Sequence, residues 1–472
     1  MTPAEPVLSA DDAALPAGMA VAASYGLKRN VLSPLEVLAQ SISTIAPTAS
    51  PTMTIPLVFA LAGNATWLAY LLATVGVLLV GLCVSRFARY SASPGSLYIY
   101  ASTLKPACGS ITAWALLLAY VATGSSVVGG FINYANVLLQ GLTGHQAPAS
   151  LLAMIAVAAA TAIAYRDVKI SAELMLWIEA VSVSLIAIVL AILLWKNGLH
   201  IHPAQLRLVG ASSSGVRLGV VLALFSFVGF ESATTLGAEA REPLRTIPRA
   251  VIQSAVLAGI FFIVCAYAEV LGFANAHQDL GQSAAPLRLL AQQAGVPFLG
   301  PLIDVGALVS MFACTLACTT AGARVLMLMA HNGLAPRRLM QAHTRNATPG
   351  LAVIVVGALT VLPAAVLAAR GVSGTNIYGW MGSLATYGFI TVYGLVAIAL
   401  PFYLQRQGHL SAPMVLVSAA ATLAMLLALV GTIYPTPDPP YNWLPYVYLV
   451  YIAGGLAWYF MQRRRTTERQ PL

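Results

Sequence analysis

Two acidic residues set deep in apolar sequence offer the first chemistry. Glu231 stands in Phe225-Ser226-Phe227-Val228-Gly229-Phe230-Glu231-Ser232-Ala233, and Glu179 stands well inside the apolar run from Ile170 to Trp195. A charge at the centre of a bilayer costs about 2.5–3.5 kcal/mol on insertion scales. A carboxyl kept there can serve as a proton-sensitive group, as a partner for a cation or amine, or as a structural hydrogen-bonding group. Beside Glu231 lies a second signal, an interruption of the helix at Gly229-Phe230-Glu231. It is matched about 180 residues earlier by Ala46-Pro47-Thr48-Ala49-Ser50-Pro51, where two prolines four apart remove backbone donors and clash with the preceding turn.

Unwound backbone in hydrocarbon leaves N–H and C=O groups without partners, at several kcal/mol each, so it persists only against protein or a wet cavity. Free N–H groups at the start of a half-helix suit a carboxylate, and free C=O groups suit an ammonium or a metal cation. An amino acid carries both groups on one carbon. The candidate substrate-binding residues are therefore Ala46, Pro47, Thr48, Ala49 and Ser50 at the first break, and Gly229, Phe230, Glu231 and Ser232 at the second. Phe225 flanks the second break. Thr315 and Thr319 can line the pocket or bond back to their own helix. Glu231 and Glu179 are the candidate proton-coupling groups.

The elements that must position these residues follow from composition. Of 472 residues, 59% are hydrophobic and 8% charged. A soluble domain carries about 25% charged residues. The bilayer is the solvent that fits, and each helical crossing of its core needs about 20 apolar residues. The pattern predicts about twelve transmembrane helices. The first starts at Ser33-Pro34-Leu35-Glu36, a capping box with proline at the first helical position, and runs to Gly63. The others are expected over 64–87, 108–139, 149–165, 170–195, from 217, 248–273, 299–329, 350–369, 377–404, 412–434 and 444–461. The breaks fall in the first helix of each of two five-helix sets, the sign of an inverted repeat with two further helices at the end. The expected organisation is a cytoplasmic, disordered tail over 1–27 and a ten-helix core over 28–404, with repeats near 33–195 and 217–404. Residues 405–472 hold the last two helices and a cytoplasmic tail.

The net charge of +9 is topological. With the N-terminus inside, only Lys196, Arg207, Arg217, Arg288 and Arg370 of the 24 Lys and Arg fall outside, which fits the positive-inside rule and places both termini in the cytoplasm. Lipid, not nucleic acid, is the expected neighbour of these charges. The five cysteines lie in or beside apolar runs, where they read as small packing residues. His200 and His202 have no third ligand in sequence reach, so no metal site or other cofactor is expected. Glu36 and Glu173 read as cytoplasmic caps or gate ion pairs, and Glu269 and Asp304 as interfacial or gating pairs.

These residues resemble the amino acid–polyamine–organocation (APC) superfamily, whose members share the five-plus-five fold of leucine-transporter type. The most specific stretch is Phe225 to Ala250, FSFVGFESATTLGAEAREPLRTIPRA, which is similar to the superfamily's sixth-helix signature. Ser93-Pro94-Gly95-Ser96 with Tyr98 and Tyr100 resembles its segment after helix 2. Arg324 with Asn332-Gly333-Leu334-Ala335-Pro336 resembles its run after helix 8. The resemblance implies that amides at the first break hold a substrate carboxylate. Pro51 has no N–H, so Thr48, Ala49, Ser50 and Thr52 would supply them. It also implies an aromatic lid or wall at Phe225 and Phe230. Glu179 aligns with a mid-helix-5 position that is Lys in some proton-coupled members and lies at the sodium site of others.

The expectation is a secondary active transporter of amino acids or related amines by alternating access, coupled to protons, with sodium the other candidate ion. It would sit in a plasma membrane, as in a bacterial inner membrane, as monomer or homodimer. An amino acid/amine or polyamine exchanger is the alternative, and a solute sensor with a transporter fold is the rival of another class. No G-x-x-x-x-G-K-[ST], H-E-x-x-H or G-x-S-x-G stretch occurs, so neither an ATP-driven pump nor an enzyme is expected.

Overall fold

The computed structural model describes residues 27–468 except 92–94, 167, 198–201, 275, 277, 344–345 and 435. For 96, 168–176, 178 and 464–468 it describes the backbone only. The expected N-terminal tail, Ser93 and Pro94, His200 and the side chain of Glu173 fall outside this set. The described residues are helical throughout, apart from turns and one isolated parallel bridge between Leu32 and Ala240.

Ser33 caps helix α1, Pro34–Ile45. Its hydroxyl accepts from the Glu36 amide at 3.4 Å, while the Glu36 carboxylate accepts from the Ser33 amide at 2.6 Å. The helix stops at Ala46, which is left-handed with φ 50°. A π-turn, Ser50–Thr54, leads into α2, Ile55–Ala62. The stop lies ahead of both prolines, and Pro51 sits inside the wide turn. Gly63, at φ 53°, ends α2, and a 3-10 turn, Gly63–Ala65, passes the chain to α3, Thr66–Ala88. A straight helix over these 55 residues would be roughly 80 Å long, far beyond a core of about 30 Å.

Next come α4 (Ser96–Ser102), α5 (Pro106–Thr143), α6 (Ala149–Arg166), α7 (Val168–Lys196) and the short α8 (Pro203–Leu206). Helix α9, Ser213–Phe225, ends early, and the chain beyond it is turns and a 3-10 segment, Ser232–Leu236, until α10 begins. The second break is therefore longer than Gly229-Phe230-Glu231, and its far side holds no α-helical half. The hydroxyl of Thr235 bonds back to the Ser232 carbonyl at 2.7 Å, a local competitor of regular helix. Helices α10 (Pro243–Phe273), α11 (Pro286–Gln293), α12 (Leu299–His331), α13 (Gly350–Ala369), α14 (Gly374–Arg406), α15 (Ala412–Ile433) and α16 (Leu444–Glu468) complete the chain.

Among the described residues, ten helical stretches are long and apolar enough to cross a membrane. Inside the bundle, α3 packs on α10, α5 on α12 and α14, and α6 on α13, while α15 and α16 lie at the periphery. Small residues permit the closest approaches. A methyl on Gly388 of α14 would meet the Ala115 carbonyl of α5 at 2.6 Å, and one on Gly124 would meet Thr360 at 2.9 Å.

Candidate functional site

At the first break, the Ala49 amide donates to the Ala46 carbonyl at 2.8 Å and the Thr52 amide to the Thr48 carbonyl at 3.3 Å. The Thr52 hydroxyl takes the same carbonyl at 2.7 Å. The amides of Thr48 and Ser50 have no partner among the described residues, and Thr48 Oγ1 is buried without one. Of the four expected amide donors, two are thus spent on the turn and two are free. Neighbouring helices pin the flanks. Tyr378 of α14 shares a hydroxyl–hydroxyl bond with Thr54 at 2.8 Å, Tyr134 of α5 donates to the Thr52 carbonyl at 3.2 Å, and Cys314 of α12 donates to the Thr44 carbonyl at 3.2 Å.

The second break lies directly against the first. Gly229 has φ 90°, and a methyl there would overlap Thr44, so only glycine satisfies both backbone and neighbour. Thr44 and Ser232 share a hydroxyl–hydroxyl bond at 2.8 Å, Ser232 also donates to the Gln40 carbonyl, and the Ala233 amide donates to Ser41 Oγ at 3.0 Å. Tyr70 of α3 bonds Ser226, and Ser254 of α10 donates to the Phe230 carbonyl. All residues from Ser43 to Pro56 and from Ala223 to Gly237 are buried.

Glu231 is fully buried, and both its oxygens accept from tyrosines: Tyr120 of α5 at 3.0 Å and Tyr393 of α14 at 2.5 Å. Neither tyrosine is evident from sequence, where a Tyr in an apolar helix reads as packing. Glu179 accepts from Ser310 of α12 at 2.8 Å on one oxygen, and its other oxygen is buried without a partner.

The expected gating carboxyls divide. Asp304 pairs with Arg288, whose Nε donates at 2.7 Å. Glu269 has no partner among the described residues: it is fully buried, with neither oxygen partnered, because its position on α10 faces the bundle and not an interface. Glu36 spends its carboxylate on the capping box.

Phe225 meets the Tyr378 ring edge-on, with centroids 5.6 Å apart, and covers Gly382 of α14. Phe230 turns instead to Tyr393, at 5.2 Å, and to Gly81 of α3, so the two rings do not form one wall. Thr315 and Thr319 are buried on α12, and each hydroxyl bonds back one turn. All five cysteines are free, and Cys314 and Cys318 sit 3.9 Å apart, sulfur to sulfur. No group of three His, Cys, Asp or Glu side chains gathers among the described residues.

Below the breaks lies a feature that sequence reasoning missed. Arg324 of α12 makes a bidentate pair with Glu239, both bonds 2.7 Å, with both side chains buried. The Glu239 carbonyl accepts from the amides of Val31 and Leu32, and the Arg241 amide donates to the Leu32 carbonyl. One residue thus joins α12, the segment after the second break and the chain entering α1.

Comparisons with known proteins agree with this architecture. The amino acid permease family profile matches residues 36–469. An uncharacterized transporter of Mycobacterium tuberculosis is 33% identical over 297 residues, 62% of this chain and 64% of that protein. The matched stretch therefore spans less than two thirds of that relative. A branched-chain amino acid permease, BcaP, of Bacillus subtilis is 24% identical over 429 residues, 86% of this chain and 87% of its own. The low-affinity putrescine importer PlaP of Escherichia coli is 26% identical over 322 residues, 62% of this chain and 66% of its own. Among solved structures, MhsT in complex with L-phenylalanine shares the fold, with a TM-score of 0.56 at 14% identity over 86% of this chain and 99% of that one. These relatives are transporters, not enzymes. The family match over most of the chain and two interrupted helices in contact at the centre of a multi-spanning helical bundle lead to one conclusion: this chain belongs to the amino acid permease family, within the APC superfamily and its leucine-transporter type of fold.

Proposed function

We propose that this protein is a secondary active carrier of neutral amino acids that works by alternating access with proton symport. The observation that carries the reading is the meeting of the two breaks at Thr44 and Gly229, beside the unpartnered amides of Thr48 and Ser50. Those amides and the Thr48 hydroxyl are donors for a substrate carboxylate, and the turn carbonyls around Ala46 and Gly229 are acceptors for its ammonium. The surrounding side chains, Phe225, Tyr378, Cys314 and Thr54, are apolar or hydroxylic. Both oxygens of Glu231 are already engaged, which favours a neutral amino acid over a polyamine. The branched-chain permease among the relatives supports the same class. An amine substrate keeps one structural support, the unpartnered oxygen of Glu179, and one relative, the putrescine importer.

In this reading the chain crosses the membrane twelve times. Pro34–Ala88 crosses twice, and the interrupted segment from Ser213 crosses once. The core of 28–404 is a five-plus-five repeat, and the packing of α3 on α10, α5 on α12 and α6 on α13 sets counterparts of the two halves against each other. Helices α15 and α16 follow in 405–472. Both ends face the cytoplasm of a plasma membrane, by the distribution of Lys and Arg.

Alternating access then moves α3, the second break and α10 against a core to which the first break stays fastened through Tyr378, Tyr134 and Cys314. Proton arrival at Glu231 converts an acceptor oxygen into a donor, so one tyrosine bond must break or reverse. That loosens the second break from α5 and α14. Glu179, between α7 and α12 and with one oxygen free, is a second proton or cation group. Release to the N-terminal side requires separation of Glu239 from Arg324 or from the chain at Val31 and Leu32.

The test is uptake by purified protein in liposomes, with labelled leucine, valine and putrescine offered separately. Leucine or valine uptake is expected to rise several-fold with an inside-alkaline gradient and to collapse with a protonophore. Accumulation of putrescine alone would replace the substrate class. Uptake that needs internal solute whatever the gradient would make the protein an exchanger. A ligand-induced thermal shift without uptake would make it a sensor.

A further inference from the structure

We infer that the groove between α3 and α10 at the N-terminal side of the membrane is a binding site for an anionic phospholipid. The groove has a volume of about 490 Å³. Three guanidinium groups line it: Arg89 just beyond α3, and Arg245 and Arg249 in the first two turns of α10. Arg245 is shared with Glu242 through an exposed contact of 3.5 Å. Arg89 and Arg249 are exposed and have no carboxylate partner among the described residues. Two free cations and one shared one thus face a single concavity whose walls include Leu244, Pro248 and Ile252. A groove that served only to solvate charge would not be walled by hydrocarbon.

The occupant's chemistry follows from what lies above the arginines. On α3, Val75, Leu82 and Arg89 recur every seven residues and so share one helix face. Val75 and Leu82 are 49% and 43% exposed. On α10, Leu257, Ile260 and Val264 are likewise exposed. The seam therefore runs from a cationic pocket at the membrane surface into bare apolar surface at acyl-chain depth. A phosphodiester headgroup among the arginines with its chains along this seam satisfies both ends. A soluble phosphate satisfies only the first. Polybasic pockets between helices at this depth attract anionic lipid by roughly fivefold in affinity per cation. The site joins α3 to α10, so its lipid would bridge two helices outside the solute pocket and its binding does not depend on the substrate.

The experiment is native mass spectrometry of the full chain with phosphatidylglycerol or phosphatidylcholine of identical chains. Preferential retention of phosphatidylglycerol is expected. Arg89→Gln with Arg249→Gln should reduce that preference by about tenfold or more. Arg337→Gln with Arg338→Gln, in a separate basic turn, should leave it intact. Leu82→Trp, which fills the seam and keeps every charge, should also weaken binding, and Arg89→Lys with Arg249→Lys should preserve it, which covers the case in which the glutamine pair fails to fold. Equal retention of the two lipids, or no response to either the charge or the seam variants, would overturn the site. Displacement of phosphatidylglycerol by millimolar glycerol 1-phosphate would overturn the lipid in favour of a soluble phosphate ester.

Discussion

The two broken helices solve one problem in different ways. The first resumes as α-helix: α1 stops at a left-handed Ala46, a π-turn absorbs Pro51, and α2 follows. Its turn is fastened by uncharged hydrogen bonds from Tyr378, Tyr134 and Cys314 on three different helices. The second does not resume as an α-helix before α10. It is held by a glycine pressed on Thr44, by a carboxylate between two tyrosines and by a buried ion pair. Neutral bonds tolerate loss singly, while buried charges do not. In the proposed mechanism the first break is accordingly the fixed cradle, and the second is the part that protonation and charge separation release.

If charge holds the second break, its removal should have the largest effect. Arg324→Met strands the Glu239 carboxylate in the interior, at a cost of about 3–5 kcal/mol, read as a large drop in melting temperature of the purified protein. Adding Glu239→Gln should recover much of that loss. Additive losses would mean that the two residues act separately and that the comparison is wrong. Gly229→Ala comes next. A left-handed backbone strain of about 1–3 kcal/mol adds to an overpacking cost of about 1–3 kcal/mol against Thr44. Gly144→Ala makes the control, since Gly144 has φ 74° but nothing within 4 Å of the added methyl. It should lose only the backbone part, so equal melting temperatures for the two variants would remove the close approach from the account.

Glu231→Gln should fold, since the amide can still accept from one tyrosine, and should lose function selectively. Uptake driven by external protons rises as external pH falls. In the variant that slope should flatten, leaving a residual rate that no longer rises as external pH falls. A preserved slope would move proton coupling to Glu179 and leave Glu231 as a brace.

Much of this was legible in the sequence because membrane helices declare themselves by composition. The capping box at Ser33 and Glu36, the span Gly350–Ala369 and the start of α12 at Leu299 fall where apolar runs and caps put them. The first break was legible through its prolines, although the helix ends one residue before Pro47, where Ala46 takes a conformation that no sequence rule assigns to alanine. The extent of the second break was not legible, because Ser232–Leu236 has neither Pro nor Gly to stop a helix. Its partners were illegible for another reason. Tyr120, Tyr393 and the pairing of Arg324 with Glu239 join positions up to 162 residues apart, and no local pattern encodes such contacts.

The smallest effect should come from the first break. Thr54→Val deletes one neutral bond to Tyr378 and keeps the side chain's shape, so stability should fall by about 1 kcal/mol or less. The functional consequence is sharper than the energetic one. Tyr378 also holds the ring of Phe225 edge-on, and its carbonyl accepts from Ser126 of α5, so the ring itself stays anchored when Thr54 lets go. What the valine frees is the far end of the π-turn that begins at Ser50. A fixed cradle that binds the substrate carboxylate should then show a raised KM, with maximal rate and pH slope unchanged. A change in pH slope would mean that the first break moves with the proton step, and the division between a fixed break and a released one would collapse.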